Sequence, residues 1–235
     1  MSKLRNLKPE RVFQYFQDLC AIPHGSGNTK GVSDYCMDFA KAHGLEAWQD
    51  EAFNVVIVKE ASKGCEKAPT VILQGHLDMV CEKEAGSPID FERDGLELMA
   101  EGDMLSANQT TLGGDNGIAV AMALAVLDDD SLTHPRLECV FTTDEEIGLL
   151  GAEALDMDRL QGKRLINIDS EEEGIFTVSC AGGMRSSCIL PVEYENIQGL
   201  CYEIAVEGLL GGHSGIEIHK EHGNSNMLMG RLLCA

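Results

Sequence analysis

"TVILQGHLDMVCEK", residues 70–83, runs from an apolar strand pattern into a polar cluster. Val71, Ile72 and Leu73 suit a pleated, buried surface. His76, Asp78 and Glu82 then follow in quick succession. A strand core stays apolar, so the change of texture marks the strand's carboxyl end. In an open parallel sheet that end is where ligands sit. The stretch therefore poses a question for the rest of the chain: do other strands end the same way?

Two do. "RLECVFTTDEE" (136–146) and "KRLINIDSEEEG" (163–174) are also strand-like runs that end in acids. Before the first of these, "NGIAVAMALAVLDD" (116–129) is apolar nearly all round and reads as a buried helix. "LLGAEALDMDRL" (149–160) reads as a helix between the two. The order strand, helix, strand, helix, strand implies an α/β fold, a mainly parallel sheet with helices on both faces.

Upstream, "KPERVFQYFQDLCAI" (8–22) has Val12, Phe13, Phe16, Leu19 and Cys20 at helical spacing, with Pro9 suited to the first turn. A second helix starts near Asn28 and stops at His43-Gly44. "NVVIVKE" (54–60) is a strand expected beside 70–78, and 84–113 is expected to hold short strands and loops. Past residue 184 the texture changes. "CILPVEYE" (188–195) and "LCYEIAVEGLLGG" (200–212) alternate like antiparallel strands, and Asn224 or Ser225 caps a last helix. The expected domains are 1–184, part of a catalytic domain, and 185–235, the beginning of a smaller α+β lid or dimerisation domain.

The bulk composition narrows the partners. The 235 residues carry a formal net charge of -21 and are 44% hydrophobic, enough for a full core. That charge disfavours nucleic acid and anionic membrane surfaces. No stretch reaches the roughly 18 apolar residues of a membrane span, and the first residues lack the apolar region of a secretory signal. The nine cysteines are scattered without a C-x-x-C pair. These features together indicate reduced cytoplasmic thiols and disfavour a cysteine zinc site.

The chemistry-bearing residues are His76, Asp78, Asp115, Glu145, Glu146, Asp169 and His213. Each has an ordinary reading alone: a core histidine, a helix N-cap at Asp115, solvated acidic turns, a loop histidine. Those at strand ends, with Asp115 at the start of the buried helix, converge on one edge of the sheet. Carboxylates gathered there repel one another, and a divalent cation removes that conflict. Imidazole with carboxylates and no thiolate suits zinc or a similar first-row metal. His76 and Asp78, at i and i+2, share a strand face. Asp78 is therefore placed to accept one ring N–H of His76 and present the other nitrogen to metal. Glu145 and Glu146 diverge, so one serves the metal and the other a proton.

"GHLDMV", "GGDNGIAVA", "TTDEEIGLLGA", "LINIDSEEEG" and "GLLGGHSG", in this order, resemble the di-zinc exopeptidases related to carboxypeptidase G and aminoacylase. Within that family they are most similar to the bacterial aminoacyl-histidine dipeptidases, and the resemblance spans essentially the whole chain. It implies two zinc ions per complete site, with cobalt or manganese as substitutes. His76 and Asp169 would hold the first zinc, Glu146 the second, and Asp115 would bridge them. Asp78 would orient His76, Glu145 would be general base and acid, and His213 would stabilise the oxyanion. A cis peptide is implied after Asp115. The substrate implied is a dipeptide with a free N-terminus, preferentially Xaa-His, and the full-length assembly a homodimer. Members of the family run to about twice this length and take a further histidine ligand from the additional part. Two alternatives accompany this expectation. One is a truncated, non-catalytic chain that binds metal incompletely and is poorly soluble or inactive alone. The other is a related N-acyl amino acid amidohydrolase.

Overall fold

A computed structural model describes residues 4, 7–170, 173–180, 182, 186–212 and 217–235. In chain order come α1 (Glu10–Cys20), α2 (Lys30–Ala42), β1 (Glu46–Gln49), β2 (Val55–Lys59) and β3 (Val71–His76). A hairpin of β4 (Leu98–Glu101) and β5 (Met104–Ala107) follows, then α3 (Gly114–Asp128) and β6 (Leu137–Thr142). The short helix α4 (Leu150–Ala154), β7 (Arg164–Asn167) and α5 (Ser225–Leu233) complete the set. Pro9 lies immediately before α1. Gly44, at φ 64, turns the chain out of α2 in a conformation that favours glycine.

The main sheet has the order β1-β2-β6-β3-β7. β1/β2 and β2/β6 are antiparallel, whereas β6/β3 and β3/β7 are parallel. The α/β class holds, but the sheet is mixed and not mainly parallel, because half of its pairings are antiparallel; the parallel part carries the strand ends of interest. The expected strand order is also corrected. The segments 54–60 and 70–78 do not form neighbouring strands, because β6 lies between them. Every residue of β6 is buried. A strand buried along its whole length takes an inner position, where both edges of its ladder are paired.

Side chains alternate across the sheet as strand geometry demands. Val55, Ile57, Cys139 and Phe141 face a large core with Phe16 and Leu19 of α1, Val32 and Cys36 of α2, and Val120 and Leu124 of α3. Val56, Ile72 and Val140 face a smaller cluster closed by Leu160. Glu138 is fully buried among these apolar neighbours. Its carboxylate accepts the backbone N–H of Gln161 and Gly162, at 3.0 and 2.9 Å, and pairs with Arg136. This staples the segment leading into β7 to the middle of the sheet.

The helix expected over 149–160 is shorter, ending at Ala154. Leu155 is extended, and the Asp156 side chain accepts the N–H of Asp158 to start a separate turn. A side-chain acceptor that competes for backbone N–H groups ends the helix there.

The chain divides into two compact units, Met1–Phe176 and Thr177–Ala235. In the second, the expected strands over 188–195 and 200–212 are absent from the described residues, which are largely exposed there. A strand needs a paired neighbour and a covered face, and alternation alone supplies neither. The last helix does form, and Asn224 caps it by accepting the N–H of Met227 at 2.9 Å. No helix among the described residues is long and apolar enough to cross a membrane.

Candidate metal centre

β3 delivers His76 to the carboxyl edge of the sheet with 1% exposure. Its Nδ1–H donates to the Asp78 backbone carbonyl at 2.9 Å and lies 3.3 Å from the Asp78 carboxylate. That fixes the ring and leaves Nε2 facing Asp115 Oδ1 at 3.0 Å, with Asp169 Oδ2 at 3.9 Å. Donor atoms of His76, Asp115 and Glu146 all lie within 4.8 Å of one another.

Asp115 does not act as an N-cap. Its backbone is non-helical, no side-chain cap bond forms at the start of α3, and its carboxylate turns to His76 instead. The peptide from Asp115 to Asn116 is cis. The Asp78 carboxylate is fully engaged. It accepts Ser26 Oγ–H at 2.8 Å and the backbone N–H groups of Glu145 and Glu146 at 3.0 and 3.2 Å.

The charges here are tightly linked. Burial pushes the His76 imidazolium down, but hydrogen bonds and charge from Asp115 and Asp78 more than offset this and raise its pKa to about 10. Burial pushes Asp78 up, and bonds from His76, Glu145 N–H and Ser26 bring it below the ordinary range. The His76 bond holds Asp115 low. Burial lifts Glu145 and Glu146 above the ordinary range, with Asp169 adding to Glu145 and Asp115 to Glu146. A cluster that strains its carboxylates in this way favours an added positive charge.

No family model matches the chain. The cytosol non-specific dipeptidase of Escherichia coli K12 is 40% identical over 235 residues, 99% of this chain and 48% of that protein. The crystal structure of aminoacylhistidine dipeptidase from Vibrio alginolyticus superimposes with a TM-score of 0.73 at 33% identity, over 99% of this chain and 48% of that one. The chain is similar to these two dipeptidases along nearly its whole length. A tripeptidase structure from Staphylococcus aureus, 24% identical with a TM-score of 0.58 over 69% of this chain and 43% of that one, shares the fold. The chain spans about half the length of the curated dipeptidase it matches.

Beside the His76 cluster, Glu145 and Asp169 border a cavity of about 220 Å³ whose other walls include Leu149, Leu155, Met157 and Leu165. His213 falls outside the described residues, as do 183–185, where the texture change was expected. Sequence reasoning missed Ser26 and its neighbour Gly27, whose N–H donates to Asp144 Oδ1 at 2.7 Å. The Ser26 bond ties the turn after α1 to the end of β3, and the Gly27 bond ties it to the acidic loop after β6. The only local signal was "HGSGN", a glycine- and serine-rich turn that resembles any other interhelical link.

Proposed function

We propose that this chain contributes the metal-binding part of a zinc-dependent dipeptidase acting on dipeptides with a free N-terminus, preferentially Xaa-His. The observation that supports it most is the donor set of His76, Asp115 and Glu146, with atoms within 4.8 Å of one another and Asp169 beside them. One imidazole and several carboxylates, without thiolate, fit zinc, with cobalt or manganese as substitutes. In this reading His76 and Asp169 would hold one ion and Glu146 a second, and Asp115 would contribute to both.

Zinc, when bound, polarises the scissile carbonyl and makes water acidic enough to react at neutral pH. The protein's own groups do the rest. Glu145, lifted by burial, is the stronger base for it. Its carboxylate takes a proton from the attacking water and returns it to the leaving amine. Asp78 holds both the His76 ring and the loop carrying Glu145. His213 is assigned to the negative charge that develops on the carbonyl oxygen. The location proposed is the cytoplasm, in line with the E. coli relative's name and with nine unpaired cysteines. The assembly proposed is a homodimer.

The test is zinc stoichiometry together with release of histidine from Ala-His, using N-acetyl amino acids as competing substrates. Bound zinc and Ala-His turnover, the latter lost in Glu145→Gln, support the proposal. Zinc without turnover reduces it to metal binding. Preference for N-acetyl amino acids reassigns the chain to the amidohydrolases.

A further inference from the structure

Asn116 is 3% exposed, and its carboxamide lies between two strand ends. Oδ1 accepts the backbone N–H of His76 at 3.1 Å, and Nδ2–H donates to the backbone carbonyl of Ile168 at 2.8 Å. His76 closes β3, Ile168 immediately precedes Asp169, and Asn116 itself follows Asp115. One side chain therefore ties together the three segments that present His76, Asp115 and Asp169.

Its place in the ladder is specific. β3 and β7 pair in parallel from Val71↔Arg164 to Gln74↔Asn167, and Ile168 N–H then donates to the Gln74 carbonyl at 3.2 Å. In a parallel ladder the residue that donates to position i next accepts from position i+2. The following rung would run directly from His76 N–H to the Ile168 carbonyl. The Asn116 carboxamide occupies that rung, taking the N–H at one end and satisfying the carbonyl at the other. The strands are thereby spread at the edge where His76 and Asp169 stand. Gly75 makes room for this: a Cβ there would lie 2.5 Å from Asn116 Oδ1 and 3.2 Å from Ala119 Cβ.

We infer that Asn116 is a positioning residue, an inserted rung that sets the separation of His76 and Asp169 and so the fit of the cation site. This rests on the metal-binding reading above. The two groups it holds are backbone groups, so its effect on the site is through spacing and not through charge.

The experiment uses the full chain with zinc as the probe, measured by chelator competition, and with cobalt for its visible spectrum. Asn116→Leu keeps the shape and loses both bonds. Asn116→Asp keeps the acceptor for His76 and loses the donor to Ile168. The expected result is zinc affinity weakened about 10- to 100-fold in Asn116→Leu. The cobalt bands should shift while the circular dichroism stays that of the parent. Combined with Asp169→Asn, the loss should be smaller than the product of the two single losses, because both act on one ligand. Unchanged affinity and spectrum in a folded variant, independent losses in the double variant, or failure of both variants to fold would each overturn the inference. If the parent chain takes up no zinc, the metal-site reading falls and this inference with it. If the parent binds zinc, Asp169→Asn weakens it and the Asn116 variants do not, this inference falls alone.

Discussion

The Asp78 carboxylate accepts the backbone N–H of Glu145 at 3.0 Å, joining the end of β3 to the acidic loop that follows β6. The same carboxylate takes the N–H of Glu146 and the hydroxyl of Ser26. Replacing it with alanine leaves these partly buried donors without their acceptor, each costing about 1 kcal/mol or more. Asp78→Ala should therefore lose several kcal/mol of stability, whereas Ser26→Ala loses about 1 kcal/mol. Urea denaturation of the two variants measures the difference, and equal losses would show that the carboxylate holds no more than the serine.

Zinc uptake should release protons. In the metal-free protein His76 has its pKa raised to about 10, so at pH 8 its Nε2 carries a proton that a metal must displace. The sign follows: apparent affinity rises with pH, by about tenfold per unit while this group is protonated, and levels off near pH 10. Calorimetry in two buffers of different ionisation enthalpy should show about one proton released from His76 per zinc. Heats that do not depend on the buffer would contradict it.

Glu138 gives a different pH signature. Burial lifts its pKa, but the N–H groups of Gln161 and Gly162 and the Arg136 partner bring it below the ordinary 4.5. A carboxylate depressed in the folded state stabilises above its unfolded pKa, and that stabilisation is lost as pH falls through the folded value. Glu138→Gln should thus cost about 3 kcal/mol at pH 7, a cost that shrinks below about pH 4. Stability curves of both proteins from pH 7 to pH 3 check this, and parallel curves would argue against it.

The cysteines should divide by reactivity. Burial pushes Cys20 and Cys139 up to about 12 and Cys36 higher still, while Cys180, Cys188, Cys201 and Cys234 are exposed. Thiolates, not thiols, are alkylated. Iodoacetamide applied to the native protein, followed by peptide mass spectrometry, should label the exposed four and spare the buried three. Early labelling of Cys36 would contradict the packing of α2 against the sheet.

Much of this was legible because it is local. The β-branched runs of β2, β3 and β6, the cap at Asn224 and the apolar α3 each announce themselves within a few residues. The acids and the histidine at strand ends were legible because strand polarity puts ends of the same sense on one edge. What was not legible depends on partners distant in sequence. β6 separates β2 from β3 through pairings that no short window contains. Ser26 reaches Asp78 across 52 residues, and only the folded turn reveals it. Asn116 looked like the residue after a ligand, and its two backbone bonds span 40 and 52 residues.

The position of β6 also bears on the order of assembly. Gln74 and Thr142 hydrogen-bond across 68 residues, and Asn54 reaches Thr143 across 89. A chain growing from its N-terminus on a ribosome therefore holds β2 and β3 as two unjoined pieces until residue 142 has been made. Such non-local closures are slow because their loop entropy is spent before any contact rewards it. During that interval Val55–Val58 and Val71–Leu73 are open edges, the segments on which a chaperone would act first.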